Sequence, residues 1–137
     1  MGKFKKPKAN CGFRIPTRES SSNAPQETKK PIFCLRYLDA QYCVSKCEKN
    51  EKVAILDKLH QLSQLTWVQL HQSPKHSYGY EKIPRNAIKR PVPSQITEDV
   101  TLIAFRFHGK AAMVGYREHE IFHIIWFDRD FSLYNHG

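Results

Sequence analysis

The sequence predicts an α+β fold, a small antiparallel sheet with N-terminal helices packed on one of its faces. Three observations carry that prediction. Between Thr101 and Asp130 the chain reads TLIAFRF, AAMVGYRE and EIFHIIWFDRD, two strongly β-rich runs flanking a weaker one across short breaks, the pattern of an antiparallel meander. Ahead of it, Val53, Leu56, Leu59, Leu62 and Leu65 recur at about helical spacing, with Ile55 broadening the stripe into an amphipathic face. At 137 residues and 40% hydrophobic composition, the chain is sized for one domain with a modest core.

Residues 1–30 read as a basic, flexible arm and residues 31–137 as the folded domain. The arm lacks apolar periodicity, and its RESSSNAPQETKKP stretch is rich in Ser, Pro and charge. Its eight Lys and Arg residues face only Glu19 and Glu27, so most of the chain's net charge of +9 sits there. Such an arm suits a phosphate backbone or an acidic partner, because each neutralised phosphate releases condensed counterions. No apolar run approaches the roughly 20 residues that cross a bilayer. The opening MGKFKKPKAN also lacks the apolar centre of a secretory signal, so the expected location is cytoplasmic.

Ile32 to Leu38 has strand composition and is bounded by Pro31 and Asp39. Asp39 is placed to cap a short helix through Cys47, and Asn50 to cap a longer one, since Asx side chains satisfy free amides at helix starts. Thr66 to Leu70 either extends that helix or begins a connector. The segment from His71 to Ser94 is polar, basic and punctuated by prolines, a loop with one short strand around Tyr80 to Ile83. It carries Lys82, Arg85, Lys89 and Arg90, which are candidates for binding nucleic acid. Cys11, Cys34, Cys43 and Cys47 form no C-x-x-C pair and read as reduced thiols, too few in ligand count for a structural zinc.

His119-Glu120-Ile121-Phe122-His123 matches H-E-x-x-H, which on a helix places two histidines on one zinc with the glutamate as base. That reading makes the chain a zinc hydrolase. The composition EIFHIIWF instead predicts a strand, where the two histidines stand about 13 Å apart and cannot share an ion. The expectation for metals and cofactors is therefore none.

The meander interleaves cations and imidazoles with aromatics. A turn at Glu118 to Glu120 sets Arg117 opposite Ile121 and Gly115 opposite His123, so that Arg117 and His123 share a face with Gly115 leaving room for a ligand. The first hairpin admits two registers. A two-residue loop at His108-Gly109 puts Arg106 on the face of Arg117, and a three-residue loop puts it on the opposite face. Trp126, Phe122 and Phe127 read as core, and Asp128 and Asp130 as turn or surface contacts.

The order strand, helices, basic loop, then FRF, a tight turn, MVGYRE and IFHIIWFDRDFSLYNHG resembles the RelE/ParE superfamily of bacterial toxins over residues 31–137. The resemblance implies a toxin paired with an antitoxin protein. Its RelE-like branch cleaves mRNA on the ribosome, and its ParE-like branch acts on DNA gyrase without nuclease activity. Carried over, Arg106 and Lys110 match the basic positions around the hairpin, and Tyr134 with His136 matches the C-terminal aromatic or imidazole group. Lys82 and Arg85 fall in the basic segment ahead of the last strands. The strand opening Ala111-Ala112-Met113 departs from the pattern, since many RNA-cleaving members place an arginine there. Either Lys110 or Arg117 substitutes, or the nuclease is weak or absent.

RNA cleavage by internal transfer needs a base for the 2′-hydroxyl, cations for the phosphorane and an acid for the leaving oxygen, but no metal. The resulting expectation is a metal-independent endoribonuclease in which Arg106, Lys110, Arg117, Tyr134 and His136 act, with His123 in reserve. A non-catalytic binder, either a gyrase inhibitor or an RNA-binding module, is the alternative.

Overall fold

A computed structural model describes residues 25–136. The chain runs β1 (Ile32–Cys34), α1 (Lys49–Leu62), α2 (Trp67–Gln72), β2 (Tyr80–Ile83), β3 (Leu102–His108), β4 (Ala111–Glu118) and β5 (Ile121–Asp128). The five strands form one sheet in the order β1-β5-β4-β3-β2. The α+β class and the meander follow the sequence reading, but the sheet is mixed. β1 runs parallel to β5, because the helical crossover returns the chain to the far edge of the meander in the same direction. No helix of the described residues is long and apolar enough to cross a membrane.

Both faces of the sheet are covered, which is why β3 to β5 read as nearly continuous apolar runs. On the first face, Phe105, Met113, Phe122, Ile124 and Phe127 pack with Ile55 and Leu62 of α1 and with Trp67 and Leu70 of α2. On the second, Leu102, Ala104, Val114 and Trp126 are covered by Ile83, Ile88, Ile96, Leu133 and Tyr134, from the segment around residues 83–100 and the C-terminal tail.

Several element boundaries differ from the sequence reading. β1 stops at Cys34, after which Asp39 caps a 3-10 turn, Ala40–Tyr42, followed by a second, Val44–Lys46. The anticipated helix through Cys47 is thus two tight turns. α1 starts at Glu48 rather than at Asn50, since Glu48 N donates to Glu51 Oε1 at 2.7 Å in a capping box. The buried side of α1 carries Glu51, Ile55 and Leu62, while Val53 and Leu56 are 55% and 68% exposed. Thr66 starts a separate helix, its hydroxyl accepting from Gln69 N. Within the span assigned to the arm, residues 25–30 pack on the domain. Lys29 O accepts from Trp67 N at 3.0 Å, and Glu27 accepts from Arg117 at 2.8 Å. The remainder of the arm, including Cys11, lies outside the described residues.

Glu51 ties the start of α1 to the end of β5, since its Oε1 also accepts from Arg129 Nε at 2.7 Å. The Arg129 hydrogen bond, against the opposing pull of burial and with help from the Glu48 amide, holds the Glu51 carboxyl below its ordinary value. A depressed folded-state pKa gives stability that is complete above the unfolded value of 4.5 and is lost as pH falls through the folded one. Glu51→Gln is therefore expected to lower Tm at neutral pH by roughly a few degrees. The gap to the parent should close in acid, as pH falls below 4.5 and through the depressed folded-state value, when melts are compared across pH.

Candidate functional site

The pairing of β3, β4 and β5 sets Arg106, Ala112 and Asp128 side by side on the second face, since Ala112 is opposite both Arg106 and Asp128. A small residue in the middle of this row leaves space above it. Leu133, Tyr134 and His136 fold back over the same face, where Leu133 and Tyr134 join the buried cluster that contains Ala112. Ala112 is thus a small residue over which the aromatic tail can sit.

Asp128 is completely buried. One carboxylate oxygen accepts from Leu133 N at 3.2 Å, and the other meets His136 Nε2 at 2.6 Å. Burial of a carboxylate is costly unless it is paired and hydrogen-bonded, and here the tail supplies both partners. His136 stacks on Tyr134 at 4.1 Å between ring centroids and touches Phe131 at 4.8 Å, so its ring is fixed on two sides. The Tyr134 phenol is pushed far above its usual value by burial, with Glu81 and Asp128 adding to the effect and Arg106 opposing it. It remains protonated at physiological pH and keeps a hydroxyl proton to donate. Arg106 lies 3.9 Å from Glu81 through NH2, its side chain about one-fifth exposed.

The structure brings together Arg106, Tyr134 and His136 and adds Asp128, which the sequence reading assigned to a turn or surface contact. A buried carboxylate eight residues before a histidine has no local signature, and only the fold-back of the tail makes the pair. Lys89 joins the margin of this cluster, its amide donating to Leu133 O at 2.8 Å and its ammonium reaching Asn135 at 3.4 Å. Lys110 occupies the exposed turn between β3 and β4.

The other candidates are placed elsewhere. Arg117 is opposite Phe122, not Ile121, and lies on the helical face. There its guanidinium sits 4.3 Å from the Trp67 ring and donates to Glu27 and to His119 O. His123 is opposite Tyr116, so Arg117 and His123 point to opposite faces, contrary to the expected register. The cause is a tighter turn, His119-Glu120, in which His119 takes a φ of 59°. Gly115 is opposite Ile124 rather than His123, and its open side is filled by β5's own backbone. In the first hairpin the loop is Gly109-Lys110, with a bulge between Arg106 and His108 that leaves Arg106 on the face away from Arg117. The cations do not form one cluster.

Lys82 pairs with Ile103 and projects on the helical face, away from Arg106. Arg85 is used to hold the loop, donating to Thr97 O at 2.9 Å. Arg90 grips Asp39 with two hydrogen bonds of 2.8 and 2.9 Å. A surface hollow of about 600 Å³ opens on the other side of the tail, lined by Tyr42, Lys46, Arg90, Arg129, Asp130 and Ser132. Its two arginines are neutralised by Asp39, Glu48 and Glu51, so it offers less positive charge than its lining suggests.

The HEIFH segment is a hairpin and not a helix, with His119 and Glu120 in the turn and His123 within β5. Among the described residues no group of three or more His, Cys, Asp or Glu side chains is placed to hold a metal ion. The geometry that the zinc hydrolase reading requires is not formed.

No family model matches the chain, and comparison with curated proteins and with solved structures gives no significant match.

Proposed function

We propose that this protein is a RelE-type toxin, a metal-independent endoribonuclease that cuts mRNA at the ribosome in the cytoplasm and is restrained by a cognate antitoxin. The observation that carries the reading is the Asp128–His136 pair, stacked on a protonated Tyr134 and set beside Arg106. A strand, two helices and an antiparallel meander in that order are also what the family resemblance calls for.

With the Nε2 proton of His136 directed to Asp128, Nδ1 carries the lone pair and can take the proton of a ribose 2′-hydroxyl. The 2′-oxygen then bonds to phosphorus, and the bond from phosphorus to the 5′-oxygen breaks. Tyr134 is suited to donate to that departing oxygen. Arg106, with Lys110 reaching in from the turn and Lys89 from the margin, offsets the charge on the phosphorane. The products are a 2′,3′-cyclic phosphate and a 5′-hydroxyl.

Purified protein mixed with ribosomes and mRNA should yield fragments with these ends. Intact transcripts would overturn the proposal. Arg106→Ala is expected to lower cleavage by about 10²-fold, the scale of losing one transition-state charge partner. Arg117→Ala should leave the rate within roughly threefold while costing about 1 kcal/mol of stability from the lost stacking on Trp67. A thermal melt and a cleavage assay on the same preparation separate the two effects.

One observation favours the non-catalytic alternative, a gyrase or RNA binder. Tyr134 is only 4% exposed and the His136 side chain only 6%, so both are nearly closed to solvent. Double-strand breaks in a gyrase assay, without transcript cutting, would establish that reading.

A further inference from the structure

We propose that Cys34 is a modification site, a thiol that exchanges with small anionic disulfides and uses His123 as its base. The site lies on the same sheet face as the Asp128–His136 pair but four positions along β4 from Ala112, and the inference is independent of the RNA chemistry.

Cys34 pairs with His123 across the parallel β1–β5 ladder, so the two side chains leave the sheet as neighbours on one face. Cys34 is half-buried on β1, an edge strand of the sheet. His123 is only 7% exposed, and its ring is held on several sides. Tyr116 stacks against it at 4.8 Å and 22°, Tyr37 lies at 5.5 Å, and Nε2 meets Glu118 Oε1 at 2.9 Å. Nδ1 is buried and has no hydrogen-bond partner among the described residues.

An orphaned buried nitrogen costs free energy and calls for an account. With the Nε2 proton committed to Glu118, Nδ1 carries the lone pair. Cys34, His123 and Glu118 thus succeed one another on one face in the order nucleophile, base and carboxylate, and a shift of the Cys34 side chain toward Nδ1 would complete the arrangement that activates a thiol. Arg36, exposed two residues further on, offers a positive charge that draws in a negatively charged disulfide such as oxidised glutathione.

In the exchange the Cys34 sulfur attacks one sulfur of the reagent while its proton passes to His123. The reagent's disulfide bond breaks as the mixed disulfide forms, and the departing thiolate recovers the proton. Cys47 is closed to this reaction, since it is buried and burial raises its thiol pKa. Cys43, hydrogen-bonded to Ser45 at 2.8 Å, is the internal rival.

The test uses the full chain carrying Cys11→Ser, Cys43→Ser and Cys47→Ala, with oxidised glutathione as reagent and mass spectrometry as readout. A mixed disulfide should form on Cys34. His123→Gln should slow it by roughly tenfold or more, and Glu118→Gln by severalfold, at a temperature where circular dichroism shows all three proteins folded. Equal rates in all three proteins would overturn the proposal, as would an adduct that forms only in denaturant. If the triple variant fails to fold, peptide mapping of the parent chain decides. First labelling at Cys34 supports the inference, and first labelling at Cys43 overturns it.

Discussion

His136→Ala is expected to reduce RNA cleavage by about 10²- to 10⁴-fold, the range set by loss of a positioned proton-transfer group. The His136 ring is held by Tyr134, Phe131 and Asp128, so truncation also leaves one oxygen of the fully buried Asp128 without its partner. Stability should therefore fall as well, and cleavage is compared at a temperature where both proteins remain folded. Asp128→Asn is the companion variant. It keeps the size of a fully buried side chain and its link to the Leu133 amide, but an amide neither selects the ring's tautomer nor offsets the charge that forms on it. Cleavage should drop by roughly tenfold or more, with the tail still folded over Ala112. Cleavage rates and melts on both variants check this. Full activity in His136→Ala would remove the imidazole from the mechanism and leave the tail a packing role.

Much of the architecture was legible because it depends on local pattern. The β-rich runs gave the meander, Tyr80 to Ile83 emerged as a strand, and the helical region followed from apolar recurrence. The face of α1 was harder to read, because Ile55, Leu59 and Leu62 turn inward while Val53 and Leu56 continue the same apolar series on the outside. Spacing alone does not say which of two overlapping stripes meets the sheet. The site was less legible still. Shortening the second turn by one residue moved every partner in the hairpin, and a bulge in the first set the face of Arg106. Arg106 therefore lies on the face that Tyr134 and His136 cover, whereas Arg117 is spent on Trp67 and Glu27. Asp128 reads in the sequence as a turn or surface contact, and its burial is not legible there because its partner arrives from a tail that has no regular structure.

Gly115→Ala is expected to be the most damaging single change to the fold. The sequence reading gave this glycine a ligand's approach, but the space above it belongs to the neighbouring strand. β5 carries a bulge where its register shifts between the partners of Val114 and Gly115. That irregularity brings the His123 carbonyl over Gly115, so an added Cβ would stand 1.8 Å from His123 O and 2.8 Å from its carbon. No side-chain rotation relieves a clash between two main chains. The bulge must flatten or the strands must part, and either change disturbs Ile124 and Trp126, which are both fully buried on opposite faces of the sheet. Overpacking of this kind costs about 3 kcal/mol or more when only backbone can yield, which lowers Tm by roughly 10 °C in a chain of this size. Circular dichroism melts of the parent and Gly115→Ala should show that loss. The alternative result, a variant that melts with the parent, would mean that β4 and β5 can separate over Gly115 at no cost, and would remove the close main-chain approach as a constraint on this position.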